Sequence, residues 1–178
     1  SSSAGAAYVF TRSGTTWTQQ QKLVASDAQA SDFFGYSTAI SGDTVVVGAF
    51  GEDTGSSSAG AAYVFTRSGT TWSQQQKIQA SDAQAADRFG YTVCIDGDTV
   101  VVAAYGEDTG GSYAGAAYVF TRNGTTWTQK AKLTSASSSS DSFGGSCALI
   151  DDDVIVVGDS LDDTGATNKG AATFFIGS

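Results

Sequence analysis

One string of residues returns along this chain at a constant interval of 55 positions. Residues 4–17 recur unchanged at 59–72 and, with Asn123 in place of a serine, at 114–127, and a shorter copy occupies 170–175. A chain with a period of this length folds as neighbouring copies of one supersecondary unit, each of which buries its apolar surface against the next. The sequence therefore predicts three repeats of 55 residues plus a partial fourth.

Each repeat contains four short segments with the composition of β-strands. In the second copy of the string and the residues before it, these segments are 34–40, 44–49, 61–66 and 71–78, and their apolar runs are rich in β-branched and aromatic residues. No long apolar pattern with a 3.6-residue period, which would indicate a helix, runs through them. The repeat is therefore expected to be a small antiparallel sheet.

The second and fourth segments differ in polarity. The second is apolar at successive positions, as expected for a strand that is covered on both faces. The fourth alternates, which predicts one face with Trp17, Gln19, Gln21 and Leu23. Such a sheet suits a blade that packs face to face with its neighbours, and radial repetition of blades is the β-propeller. We predict an all-β fold of tandem four-stranded antiparallel blades of β-propeller type, with a β-sandwich or an open β-solenoid as alternatives.

The length of 178 residues fits a single repeat domain spanning 1–178. The predicted blades lie at about 34–79, 89–134 and 143–176, and the N-terminal strands within 6–24 close the ring or pair elsewhere. Closed propellers typically have four to eight blades. Three arrangements follow: a segment of a larger array, units joined edge to edge in an oligomer or fibre, or a closed three-fold monomer.

Charge and composition exclude several classes of function. The chain has 18 acidic and 9 basic residues and a formal net charge of −9, which argues against nucleic-acid binding because phosphate contacts need a basic face. It has no histidine, which removes imidazole metal sites and the usual Ser–His nucleophile pair. No apolar run approaches the length of a membrane span. The prediction is a non-enzymatic protein.

Acidic residues recur at equivalent positions in two loops of the repeat. Carboxylates from neighbouring loops can together bind a hard cation such as Ca²⁺. The alternative is that they form Asx turns and keep a repetitive β-protein soluble. No cofactor is required by the sequence, but calcium is possible. The candidate ligands are Asp27, Asp32, Glu52, Asp53, Asp82, Asp87, Glu107, Asp108, Asp162 and Asp163.

Aromatic residues also recur and offer surfaces on which sugars can stack. For the tryptophans, one at the same strand position in each unit, packing between blades is the alternative explanation. Paired carboxylates can serve a glycosidase, but an active site rarely appears once per repeat. The aromatic candidates are Trp17, Trp72, Trp127, Tyr36, Tyr91, Tyr105 and Tyr113.

Two further features concern covalent modification. Asn123 begins an Asn-Gly-Thr sequon at a turn, where N-glycosylation is expected in a secretory setting, although Asn-Gly is also a favoured hairpin turn. Cys94 and Cys147 lie in first strands of successive units, five and four residues after their respective phenylalanines. Regular alternation points them to opposite faces, but a bulge, or the convergence of first strands near a propeller axis, can bring them together in a disulfide. Two buried free thiols are the alternative.

The repeat resembles the FG-GAP repeat, which is found in the propeller of integrin α chains and in bacterial and algal surface proteins. The Phe-Gly pair is present at 34–35, 89–90 and 143–144, and a Gly-x-x-Tyr-Val-Phe element ends each unit at 60–65 and 115–120. Many members carry a calcium loop between the first two strands. Here that place is a short turn at 41–44, 96–99 and 151–153, so we do not transfer that site.

The resemblance implies an extracellular or cell-surface, secreted protein. The expected function is a structural or adhesive scaffold that binds proteins or copies of itself through edge strands and blade faces. The alternative is a carbohydrate- or calcium-dependent, lectin-like recognition module that uses the acidic loops and aromatic residues.

Overall fold

All regular structure in the described part of the chain is β-strand. The computed structural model describes residues 3–135, 143–151, 154–162 and 170–176. The strands are β1 (Ala7–Ser13), β2 (Thr16–Leu23), β3 (Ser37–Ser41), β4 (Thr44–Ala49), β5 (Ala61–Ser68), β6 (Thr71–Ile78), β7 (Phe89–Asp96), β8 (Thr99–Ala104), β9 (Ala116–Asn123), β10 (Thr126–Leu133), β11 (Ser146–Asp151), β12 (Val154–Asp159) and β13 (Ala171–Ile176). The all-β prediction is confirmed.

The strands form four antiparallel sheets in chain order. Sheet 1 is the hairpin β1–β2, sheet 2 is β3-β4-β5-β6, sheet 3 is β7-β8-β9-β10, and sheet 4 is β11-β12-β13. The 55-residue period shows that β1 and β2 are equivalent to the third and fourth strands of the complete sheets, and that β11–β13 are equivalent to the first three. The predicted four-stranded antiparallel unit is therefore present twice in full.

Two-residue turns join the first strand to the second, and the third to the fourth, in each complete sheet. Gly42 and Gly69 open such turns with φ angles of 55° and 62°. Turns of this type need a left-handed residue to match the twist of the strands, and glycine adopts that conformation without steric cost. The glycine that opens each of these turns therefore fixes where the hairpin reverses.

The sheets stack face to face, and the hydrophobic core lies between them. Strands β4 and β8 are buried at every position. Val46 and Val64 on the forward side of sheet 2 belong to one apolar cluster with Val100, Val102 and Tyr118 on the rear side of sheet 3. Similar clusters lie between sheets 1 and 2 and between sheets 3 and 4. An inner strand is thus apolar on both faces because each face meets a different neighbour.

The Phe-Gly pair locks each sheet to the preceding one. The Phe89 amide donates a hydrogen bond to the Ala59 carbonyl at 2.8 Å, and Phe89 forms an isolated parallel bridge with Gly60. Gly60 and Gly90 have φ angles of 86° and 90°, and a Cβ atom on either would clash with a backbone carbonyl oxygen of the other segment. The two glycines therefore allow the backbones of neighbouring sheets to touch.

A β-bulge in the fourth strand corrects the predicted alternation. Phe10 lies opposite Gln19 and Val9 opposite Gln21, so Gln20 is the extra residue. The bulge reverses the alternation, which places Gln21 and Leu23 on the forward side and leaves Trp17 and Gln19 on the rear side. The prediction of one shared face for these four residues was wrong because simple alternation assumes an unbroken ladder.

The bulge also aims two adjacent glutamines at the next sheet. Gln21 Nε2 donates to the Trp72 carbonyl at 2.7 Å, the Trp72 amide donates to Gln21 Oε1 at 2.8 Å, and the Trp72 indole donates to Gln20 Oε1 at 2.9 Å. Gln75 and Gln76 make the same three bonds to Trp127. Fourth strands are thus joined mainly through side chains, whereas first strands contact each other directly. This difference gives the stack the wedge geometry of propeller blades.

The rear side of sheet 1 is open. Trp17 is 64% exposed, whereas its equivalents Trp72 and Trp127 are 4% and 3% exposed. Tyr8 and Phe10 on the same side are each 51% exposed.

In the described residues no helix is long and apolar enough to cross a bilayer.

Candidate functional site

Charged side chains meet where the loops of two neighbouring sheets come together. Lys77 of β6 lies between two carboxylates: its Nζ is 2.8 Å from Asp27 Oδ2, in the loop after β2, and 2.8 Å from Glu52 Oε1, in the loop after β4. The Tyr63 hydroxyl donates to Asp27 Oδ1 at 2.9 Å. The Thr54 amide and the Gln79 side chain donate to Glu52. A lysine ammonium group therefore occupies the centre of this acidic cluster.

The lysine–carboxylate contacts of this cluster recur one repeat later with similar distances. Lys132 Nζ lies 2.7 Å from Asp82 Oδ2 and 2.9 Å from Glu107 Oε1. It also lies over the ring of Tyr118, 5.5 Å from the ring centroid, as Lys77 lies over Tyr63 at 5.6 Å. Repetition of the same contacts indicates a structural role at each junction between sheets.

The ion pairs shift the pKa values of the groups involved. Burial alone would raise the pKa of Glu52, but hydrogen bonds from Lys77 and Thr54 outweigh it and hold that pKa below its usual value. The pKa of Asp27 is lowered in the same way, against burial, by Lys77 and Tyr63. Burial alone would lower the pKa of Lys77, but its two carboxylate partners raise it. All three groups are therefore charged at neutral pH.

Two other acidic residues have the opposite shift. Asp32 is 2% exposed; its Oδ2 accepts a hydrogen bond from the Gln29 amide at 2.6 Å, and its Oδ1 is buried without a hydrogen-bond partner. Burial raises the pKa of Asp32, and the negative charges of Glu52 and Asp53 raise it further. In the next unit Asp87 is also buried, its Oδ2 accepts the equivalent hydrogen bond from the Gln84 amide at 2.6 Å, and burial raises its pKa.

The structure thus separates the predicted calcium ligands into three groups. In the first group two carboxylates lie on either side of a lysine, and the pairs are Asp27 with Glu52 and Asp82 with Glu107. The second group is buried and consists of Asp32, Asp87 and Asp162. The third group is exposed and consists of Asp53 and Asp108. Asp163 lies outside the described residues. Within the described ranges, no group of three or more His, Cys, Asp or Glu side chains is arranged to hold a metal ion. Calcium binding by these residues stays a prediction.

Sequence reasoning missed the two lysines. Lys22, Lys77 and Lys132 recur at the same position of the fourth strand, in register with the acidic loops. That shared period was the available signal, because charges of opposite sign that repeat together are candidates for pairing.

A row of aromatic side chains crosses the boundary between sheets 2 and 3. The Phe50 ring lies 4.6 Å from Tyr36, Tyr36 lies 5.0 Å from Tyr91, and Tyr91 lies 4.3 Å from Tyr105, measured between ring centroids. Phe33 stacks on Phe50 at 5.0 Å. Tyr36 is 52% exposed, so the row presents aromatic surface to solvent at the loop end of the stack.

The tryptophans of the repeat have a different environment. Trp72 and Trp127 are buried between sheets and bonded to glutamines of the preceding sheet. They are therefore unavailable for stacking on a sugar. Of the aromatic candidates, Trp17, Tyr36 and Tyr113 are exposed, and Tyr91 and Tyr105 are half-buried.

The two cysteines are joined in a disulfide between sheets 3 and 4. The Cα atoms of Cys94 and Cys147 are 6.1 Å apart. Cys94 lies opposite Val101, on the forward side of sheet 3, and Cys147 lies opposite Val157, on the rear side of sheet 4. Because these two sides face each other, cysteines on opposite faces of their own sheets meet.

Asn123 is exposed at the end of β9, and its glycosylation stays a prediction.

A protein-family model for the FG-GAP repeat matches residues 17–65, 72–120 and 127–175. The chain belongs to the FG-GAP repeat family. No curated protein matches it. Each matched FG-GAP unit begins in the fourth strand of one sheet and ends in the third strand of the next. The repeat in the sequence and the sheet in the structure are thus offset by one strand, which ties every unit to its neighbour.

The turn that holds calcium in many FG-GAP repeats is too short here to bind it. In sheet 2 only Gly42 and Asp43 separate β3 from β4, and Asp43 is engaged by the guanidinium of Arg67. Arg122 and Asp98 repeat this pair in sheet 3. Calcium needs six to eight oxygen ligands, so the residues present at these turns do not fit the ion.

Proposed function

We propose that this FG-GAP protein is a non-enzymatic, extracellular scaffold for protein–protein interaction or self-assembly. The observation that carries the proposal is the contrast between the internal junctions and the two ends of the stack. Inside, each sheet is covered on both faces and held by repeated hydrogen bonds. At the ends, Trp17 on sheet 1 and Phe174 on sheet 4 are 64% and 63% exposed.

The exposed sides of sheets 4 and 1 are equivalent to the two sides that pack on each other at each internal junction. Phe174 is on the forward side of sheet 4, at the position of Val64 in sheet 2, and Trp17 is on the rear side of sheet 1, at the position of Trp72. In the interior, forward and rear sides pack on each other. Exposed apolar surface of this kind is typical of protein interaction sites. FG-GAP domains are typically extracellular, which supports the proposed location.

Light scattering over a range of concentrations tests self-assembly. The expected result is a mean mass that rises above that of the 18.1 kDa chain as the concentration increases. A chain that remains monodisperse at millimolar concentration would remove self-assembly from the proposal.

A second candidate function is carbohydrate recognition by the aromatic row. Exposed Tyr36 and its neighbour Tyr91 offer ring faces on which sugars stack. Phe50, which contacts both rings, begins the loop that carries Glu52 and Asp53. Calorimetric titration with cello-, chito- and manno-oligosaccharides, in calcium and in EDTA, tests it. Tyr91→Ala is expected to weaken binding, whereas Tyr113→Ala, which changes an exposed tyrosine outside the row, should leave it unchanged. No binding to any of these sugars would reject the candidate.

A further inference from the structure

We propose that the chain assembles head to tail by strand exchange, in which β2 of one copy pairs with β13 of another and completes sheet 4 as its fourth strand. The inference rests on the proposed scaffold function. It names the partner, a second copy of the chain, and the surface that receives it.

The receiving surface is the outer edge of β13. In sheets 2 and 3 the equivalent third strands, β5 and β9, pair along their length with a fourth strand. In the described part of sheet 4, β13 pairs with β12 and is the last strand. An edge strand presents unpaired amide and carbonyl groups, which favour addition of another strand.

The strand that fits this edge is already present in the chain. In sheet 1, β2 pairs with β1, and β1 is the equivalent of β13: residues 5–7 and 170–172 are both Gly-Ala-Ala, and Phe10 corresponds to Phe175. The observed pairs Tyr8–Lys22 and Ala7–Leu23 predict Thr173–Lys22 and Ala172–Leu23 in the exchanged sheet. The three family matches begin in β2, β6 and β10. The strand β2 therefore has the same place in its unit as the fourth strands of sheets 2 and 3.

A cavity beside β13 is placed to receive the segment that follows β2. It has a volume of about 740 Å³ and is lined by Ser146, Gly158 and residues 170–172. In sheet 2 the equivalent positions hold Phe89-Gly90: the Ser37 hydroxyl donates to the Gly90 carbonyl at 2.9 Å, and a Cβ on Gly48 would clash with that carbonyl. The Phe34-Gly35 pair of the second copy therefore fits this cavity.

Charge complementarity supports the same pairing. Lys77 and Lys132 each bind the acidic residue in the loop after the second strand of their own sheet, Glu52 and Glu107. In a completed sheet 4 the equivalent residues are Lys22 and Asp162. In sheet 1, Lys22 makes no ion pair with the described chain and lies over the Tyr8 ring, 5.9 Å from its centroid. Exchange places this lysine beside a carboxylate.

The existing partner of β2 is weakly held. An isolated two-stranded hairpin is marginal in water, and β1 is supported on one face only. Tyr8 and Phe10 are each 51% exposed, whereas Tyr63 and Phe65 in sheet 2 are 0% and 3% exposed. Displacing β1 therefore exposes less apolar surface than opening a complete sheet would. The exchange replaces β1 as the partner of β2 by β13, which belongs to a sheet with β11 and β12.

Site-directed cross-linking tests the register. The full-length chain carrying Thr173→Cys is mixed with one carrying Lys22→Cys under mild oxidation. The expected result is a covalent heterodimer in a yield at least about tenfold above that of either variant alone, as for a well-formed cross-strand pair. Thr18→Cys, four positions away on β2, replaces Lys22→Cys as the matched control. Equal yields with the two partners, or no heterodimer, would overturn the proposed pairing.

Locking the hairpin separates this inference from the scaffold function. Thr11 and Thr18 are exposed and directly opposite in β1 and β2, so Thr11→Cys with Thr18→Cys ties β1 to β2 without altering the core. We expect association in light scattering to weaken at least about tenfold when the lock is oxidised and to return on reduction, with the reduced wild type as control. Undiminished association of the locked chain would reject strand exchange while leaving the scaffold function intact. A wild type that never associates would reject both.

Discussion

Gln21 in one sheet and the backbone of Trp72 in the next are joined by two hydrogen bonds, of 2.7 and 2.8 Å. The side-chain amide acts as a peptide group would in a neighbouring strand, donating to the carbonyl and accepting from the amide. It therefore connects fourth strands that are too far apart to form a ladder.

Gln21→Ala is predicted to destabilise the chain by about 1–3 kcal/mol, because the buried backbone groups of Trp72 lose their partner. Urea unfolding followed by circular dichroism measures the change. Gln19→Ala is the matched control: Gln19 is exposed on the same strand, so its replacement should change the free energy of unfolding by less than about 0.5 kcal/mol. Equal effects of the two substitutions would contradict the assigned role of Gln21.

Lys77→Met is predicted to cost about 2–3 kcal/mol of stability, less than for a fully buried pair because Lys77 keeps partial exposure. The loss comes from Glu52, which is buried and would be left without its cation. Adding Glu52→Gln to this variant should recover most of the stability. Lys22→Met, at the equivalent position without a carboxylate partner, should have little effect in the dilute monomer. A Lys77→Met variant as stable as wild type would show that the ion pairs do not contribute.

The two kinds of shifted carboxylate predict opposite dependences on pH. Asp27 and Glu52 have lowered pKa values, so their stabilisation is complete above their unfolded values, near pH 4, and is lost as the pH falls through the folded values. Asp32 has a raised pKa, so it costs stability as the pH rises above its unfolded value of about 4.

Asp32→Asn is accordingly predicted to stabilise the chain at pH 7, by about 1 kcal/mol, because the amide keeps the acceptor for Gln29 and removes a buried charge. The gain should disappear near pH 3, where Asp32 is protonated. Thermal unfolding from pH 3 to pH 8 measures both effects. A variant that is less stable than wild type at neutral pH would refute the assignment of Asp32 as a destabilising charge.

Gly60→Ala is predicted to be far more damaging than Gly69→Ala. Both glycines have positive φ angles, but a Cβ at Gly69 meets nothing within 4 Å, whereas one at Gly60 would clash with the Phe89 carbonyl. Gly69→Ala should cost about 1–2 kcal/mol from backbone strain alone. Gly60→Ala should cost at least about 2 kcal/mol more, because overpacking adds to the strain. Urea unfolding compares them, and similar losses would argue against close contact between the sheets.

The period of the sequence was sufficient to predict the repeating sheet. Identical strings at 55-residue spacing must adopt equivalent structures, and the run of three valines in the second strand indicated burial on both faces. The bulge at Gln20 was not predictable, because it depends on the pairing register rather than on polarity. Its consequence, two adjacent glutamines that serve the same neighbour, was therefore missed.

The central lysine of the charged cluster was a second feature that was not predicted from the sequence. Recurrence of the acidic residues was visible, but carboxylates that repeat around a cation look alike in sequence whether the cation is a metal ion or Lys77. The meeting of the two cysteines was a third feature that the sequence could not predict. Alternation correctly describes which side of one sheet Cys94 occupies, but whether two opposite sides meet depends on the stacking of sheets.

We expect the Phe-Gly and Gln–Trp contacts to hold successive sheets together in solution. Native-state hydrogen exchange at the Phe89 and Trp127 amides tests it most directly, because both donate to the preceding sheet, at 2.8 Å to Ala59 and 2.8 Å to Gln76. We predict that both amides exchange as slowly as those of the buried strand β8, through opening of the whole stack. Exchange at the rate of an exposed loop, with β8 still protected, would contradict the claim.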